Sequence, residues 1–101
     1  MFDKLNQIKQ KMDEIKQRLD NITVDGEAGN GAVKVTVTAN KKVKEINISE
    51  ELIKNGDREE IGELTVVALN RALEQAENVS ESEMKAASAG LFPDLPGMFG
   101  S

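Results

Sequence analysis

The sequence predicts an α+β fold in the order α-β-β-β-α, and three observations predict it. Apolar residues repeat at helical spacing over residues 2–22, they alternate with polar ones between Ile22 and Ile48, and helix formers run from Asp57 to about Ala87 with only Gly62 against them. A chain of 101 residues accommodates one such domain, read here as residues 1–88, with an apolar tail over residues 89–101.

The first helix carries Leu5, Ile8, Met12, Ile15, Leu19 and Ile22 at alternating spacings of 3 and 4. So narrow a seam suits pairing with another helix, whereas a helix lying on a sheet presents a wider apolar face. From Phe2 to about Asp20 it would span roughly 28 Å, longer than the sheet that follows, so part of it projects. Ile22 and Val24, then Val33, Val35 and Val37, alternate with polar residues and read as strands. Gly29, Asn30 and Gly31 supply the first reversal, and Asn40 with Lys41 the second, completing a three-stranded antiparallel meander. Val43 is out of phase with Ile46 and Ile48, which predicts a bulge near Lys44 and Glu45.

Ser49 then caps a single helical turn ended by Asn55 and Gly56, and Asp57 with Glu60 forms a capping box for the long second helix. That helix has two apolar stripes. Ile61, Leu64, Ala68 and Ala72 make one, and Val66, Leu69, Leu73 and Ala76 make the other. One sheet face consumes a single stripe, so the second is expected to meet another chain. At this size a second copy is also a natural source of extra core, and a homodimer is expected, through Leu5, Ile8, Met12, Ile15 and Leu19 on the first helix and Val66, Leu69 and Leu73 on the second. The tail from Ala89 to Phe99 has no period and holds both prolines.

Composition removes whole chemistries. There is no Cys, His, Trp or Tyr, which excludes a thiolate nucleophile, an imidazole base, a disulfide and the ordinary zinc, haem or iron-sulfur site. No constellation of base and nucleophile can be assembled, so no enzyme, cofactor, metal site or small-molecule substrate is expected. No run approaches the roughly 18 apolar residues of a membrane span, and charge begins at Asp3. A cytoplasmic protein without a membrane partner is expected, and the sequons at Asn21, Asn47 and Asn78 read as chance. The net charge of −5 is unevenly spread. Residues 1–48 hold nine Lys and Arg against seven Asp and Glu, while the remainder holds four against eleven. The first half can therefore present a positive face.

Four segments together resemble a known family. They are the G-x-G-x-V-x-V hairpin from Gly29 to Val35, the I-x-I-S-x-x-L segment from Ile46 to Leu52, the A-L-N-x-A-L run from Ala68 to Leu73, and the Pro96-Gly97 tail. The chain resembles, over nearly its whole length, the YbaB/EbfC family of bacterial nucleoid-associated proteins. The resemblance implies an α-β-β-β-α fold, an intertwined homodimer with helices projecting like the arms of tweezers, and DNA binding in the bacterial cytoplasm, at the nucleoid.

On that reading the phosphate-binding candidates are Lys9, Lys11, Lys16 and Arg18 on the first helix, supported by Lys41, Lys42 and Lys44 from the sheet. Each has an ordinary alternative. Asp13 and Glu14 sit among the helical cations, so a mixed solvated face accounts for them too, and the sheet lysines also suit an edge that resists aggregation. No motif for reading base edges is visible, and the three Phe are terminal, which disfavours stacking on single strands. Low sequence selectivity on duplex DNA is the expectation. The alternative is a scaffold dimer that contacts another protein through its helical arms and apolar tail.

Overall fold

Six elements follow one another in the computed structural model, which describes the backbone of residues 2–91 and the side chains of residues 4–89. They are α1 (Phe2–Asp20), β1 (Thr23–Ala28), β2 (Val33–Thr38), β3 (Val43–Ile48), the short α2 (Glu50–Asn55) and α3 (Arg58–Leu91). The strands form an antiparallel meander in the order β1-β2-β3. Gly29, Asn30 and Gly31 all have positive φ, at 64°, 57° and 86°, and this run of left-handed residues turns β1 into β2. Thr36 pairs with Glu45 and Val37 with Val43, so Lys44 is the extra residue of the expected bulge. The helix starts also follow the sequence. Ser49 Oγ accepts from the Leu52 amide at 3.1 Å, and Asp57 Oδ1 accepts from the Glu60 amide at 2.8 Å.

The core lies between one sheet face and α3. Val33, Val35 and Val37 are fully buried on β2, and Ala68, Ala72 and Ala76 are fully buried on the facing side of α3. Small residues at these contacts let the helix approach closely. A Cβ added to Gly26 of β1 would overlap the Ala68 carbonyl oxygen and the Ala72 amide nitrogen, and would stand 2.9 Å from Ala72 Cα. Ala76 thus belongs to the sheet-facing stripe, not to the second stripe that the sequence suggests. The i, i+4 row Ala68-Ala72-Ala76 continues along one side of the helix, fully buried against the sheet. Leu69 and Leu73 pack partly against the same core, while Val66 stays 57% exposed.

α3 packs on β1 and β2. Register places Val43 and Ile46 of β3 on the face that carries Val37 and Val35, yet they remain 48% and 45% exposed because α3 does not cover them.

A second cluster lies beyond the sheet. With 34 residues, α3 extends about 51 Å, whereas a strand of six residues extends about 20 Å. The overrun is lined by α1. Ile15 and Leu19, 2% and 4% exposed, are buried with Ala39, and Ile22, Val79, Met84 and Ala87 pack around them. The seam expected to pair with another chain therefore meets α3 of its own chain over Ile15 and Leu19, because α3 is long enough to supply the partner helix. Farther out, Leu5 and Met12 are exposed and Ile8 is half-buried. The result is a shape of 62 × 27 × 16 Å. α3 also runs past the expected end near Ala87: Ala89, Gly90 and Leu91 are helical. A strong helix former at Ala89 carries the ladder on, and a glycine in the last turn costs only about 1 kcal/mol. The rest of the expected tail, residues 92–101, lies outside the described residues.

Candidate nucleic-acid interface

The reversal between β2 and β3 is built on Thr38. Its carbonyl accepts from the Lys41 amide at 2.8 Å, its amide donates to the Lys42 carbonyl at 2.8 Å, and its Oγ1 accepts from the amides of Asn40 and Lys42, both at 3.2 Å. Lys41 takes the left-handed position of this turn, with φ 69°, where Gly or Asn is cheaper by about 1 kcal/mol.

Asn40 fastens the turn to α1. Its side-chain amide donates to the Lys16 carbonyl at 2.9 Å and to Asp20 Oδ1 at 2.6 Å. The two groups of cations that the sequence separates by more than twenty residues thereby become neighbours: Lys16 and Arg18 from the end of α1, Lys41 and Lys42 from the turn. Lys9 lies two helical turns farther along α1, about 10 Å away in rise. Lys44, displaced by the bulge, follows the turn on the exposed edge strand.

These cations are not equivalent. Arg18 Nη1 lies 3.2 Å from Glu83 Oε2, and Lys41 Nζ is paired with Glu77, so both reach across to α3. Lys11 is paired with Glu14 on its own helix at 3.7 Å. Lys9, Lys16, Lys42 and Lys44 have no ion pair among the described residues, and all four are exposed. The pairings also show that α1 and α3 run antiparallel. The turn that touches Asp20 meets Glu77, while Arg18, nearer the start of α1, meets Glu83 farther along α3.

The polar face of the sheet has a different character. Asp25 Oδ1 accepts from Thr36 Oγ1 at 2.7 Å and its Oδ2 lies 3.6 Å from Lys34 Nζ, and the same row continues to Glu45. Two carboxylates on one row make this face a poor match for phosphate. The dimerisation candidates also separate. Ile15 and Leu19 are occupied within the chain, Leu69 and Leu73 are partly covered, and Leu5, Met12 and Val66 are exposed.

Asn40 was visible in the sequence only as a turn residue, and nothing local announces its bond to Lys16. The roles of Glu77 and Glu83 were equally hidden, since Glu83 and its partner Arg18 are 65 residues apart.

A family model described as the YbaB/EbfC DNA-binding family matches residues 1–91. A nucleoid-associated protein of Flavobacterium johnsoniae is 40% identical over 98 residues, covering 97% of this chain and 91% of the relative. One from Acinetobacter baumannii is 46% identical over 78 residues, covering 75% and 71%. Among solved structures, an uncharacterized protein from Helicobacter pylori is similar with a TM-score of 0.69, covering 77% of this chain and 82% of that one. At 18% identity it speaks for the fold alone.

Proposed function

The chain belongs to the YbaB/EbfC DNA-binding family, which is not an enzyme family, and from that premise we propose that it is a nucleoid-associated protein whose homodimer binds double-stranded DNA through its α1/α3 arms with little sequence selectivity. One observation carries the placement on the arms: Asn40 fastens the turn that holds Lys42 to the end of α1 that holds Lys16, and Lys9, Lys16, Lys42 and Lys44 have no ion pair among the described residues. Lysines meet phosphates as point charges, releasing counterions without reading bases. Arg18, the arm's one guanidinium able to fork onto a guanine edge, is already engaged by Glu83. These features support binding by backbone charge, and the net charge of −5 keeps it weak.

Replacing Asn40 by Ala tests the placement without changing charge. The turn would lose both bonds to α1, at a cost of about 1–2 kcal/mol in stability. Retardation of a random-sequence duplex at low salt is expected to weaken by roughly threefold to tenfold, as the lysines lose their common orientation. Unchanged binding would mean that the turn and α1 act separately.

The dimer follows from what the single chain leaves bare. Val43 and Ile46 on β3, and Val66 on α3, are about half exposed or more, and apolar surface is worth about 25 cal/mol per Å² when covered. A second copy supplies that cover. Sedimentation of the wild type is expected to give twice the 11.0 kDa of the chain, and Ile46→Asp with Val66→Asp is expected to give the single mass. A wild type that sediments as a folded monomer at micromolar concentration ends the dimer reading.

A further inference from the structure

We propose that Glu77 and Glu83 of α3 are built-in competitors of DNA: each occupies an arm cation that would otherwise bind phosphate, and together they set how weakly this protein holds a duplex. The inference rests on the arm-binding reading above. Arg18 and Lys41 stand on different elements, α1 and the β2–β3 turn, yet each directs its charged end to a carboxylate on the same helix. Glu77 and Glu83 flank Val79, on which Ile15 and Leu19 pack, so the hydrophobic contact of α1 with α3 itself brings these pairs into reach.

The backbone adds a second observation. Lys41 occupies a left-handed turn position that Gly or Asn would fill more cheaply, and its ammonium is the group held by Glu77. The pairs are open to solvent, with side chains 28–55% accessible and Glu83 the least exposed, so they are exchangeable. Exposed pairs of this kind are individually weak, so two of them lower the affinity by a modest factor only. While they are closed the protein holds the duplex through its unpaired lysines; Arg18 and Lys41 reach phosphate only if the two pairs open, and the acids would then stand beside the duplex as repelling charges.

The test compares two variants of equal charge in the full chain. Glu77→Gln with Glu83→Gln removes the competitors. Glu50→Gln with Glu51→Gln removes the same charge from the first turn of α2, which follows the end of β3 remote from the turn, about 20 Å away and about twice the Debye length at 0.1 M salt, where the two variants are compared. Retardation of a random-sequence duplex is titrated at several salt concentrations, with sedimentation and circular dichroism confirming an unchanged fold and assembly. The α3 variant is expected to bind roughly tenfold tighter at 0.1 M salt. Its plot of log affinity against log salt steepens by about 0.9 for each newly engaged phosphate. The α2 variant is expected to stay within about twofold of wild type. Adding Arg18→Gln and Lys41→Gln to the α3 variant removes the gain. If the wild type binds and both acid variants tighten it equally, overall charge is responsible and the competitor role is wrong. Should the wild type bind and the α3 variant match it, the pairs do not oppose DNA. If no variant binds at any salt, the DNA reading itself fails, and the competitor role with it.

Discussion

Gly26→Val is expected to cost about 3 kcal/mol or more of folding stability. Gly26 is not in a left-handed conformation, so its requirement is space alone. A side chain there meets the backbone of α3 at Ala68 and Ala72, and backbone cannot rotate away as the end of a flexible side chain can. Overfilling of a packed core costs about 1–3 kcal/mol, and this site lies at or beyond the upper end because the whole helix must rise off β1. Thermal unfolding followed by circular dichroism is expected to fall by roughly 15 °C, taking about 4–8 °C per kcal/mol for a domain of this size. Gly31 offers the contrast. It has φ 86° and no atom within 4 Å of a built Cβ, so Gly31→Ala costs only the left-handed strain of about 1–2 kcal/mol. If Gly26→Val unfolds with the wild type, the close approach of α3 to β1 is not what holds the core.

Much of this fold was legible because its determinants are local. Periodicity announced α1 and the strands, the out-of-phase Val43 announced the bulge at Lys44, and Ser49 and Asp57 announced two helix starts. What escaped depends on partners distant in sequence. The seam of Leu5, Ile8, Met12, Ile15 and Leu19 specifies a helical partner without saying whose. That α3 of the same chain receives Ile15 and Leu19 follows only from how far α3 overruns the sheet. Ala76 joined the buried row for a similar reason, since alanine is compatible with either stripe until the approach of the sheet is known. For the candidate interface, the sequence identified residue types but not their state. Lys9 and Lys16 look like Lys11 and Arg18 in the sequence, and only the placement of Glu14 and Glu83 separates the paired from the unpaired.

That distinction supplies the second large effect. Lys9→Glu, Lys16→Glu and Lys42→Glu together reverse three of the candidate cations that have no ion pair among the described residues and spare the internal ion pairs. Duplex retardation at low salt is expected to weaken at least a hundredfold, because each protomer loses three phosphate contacts and gains three repelling charges. All three side chains are exposed, so folding and assembly are expected to be retained. Reversing Lys34 on the acidic sheet face is expected to leave binding within about twofold, since that lysine is already held by Asp25. Equal losses from the two variants would place the interface on the sheet instead of the arms.

The most direct measurement is the salt dependence of wild-type binding to a random-sequence duplex. With Lys9, Lys16, Lys42 and Lys44 engaged, one arm contributes about 0.9 per phosphate, so log affinity should fall against log salt with a slope of about −3.6, and about twice that when both arms of a dimer engage. Binding is then largely lost by physiological salt and is equal for duplexes of unrelated sequence. A slope near zero, or an association that persists unchanged at high salt, would contradict DNA binding by these arms and direct the search to a protein partner.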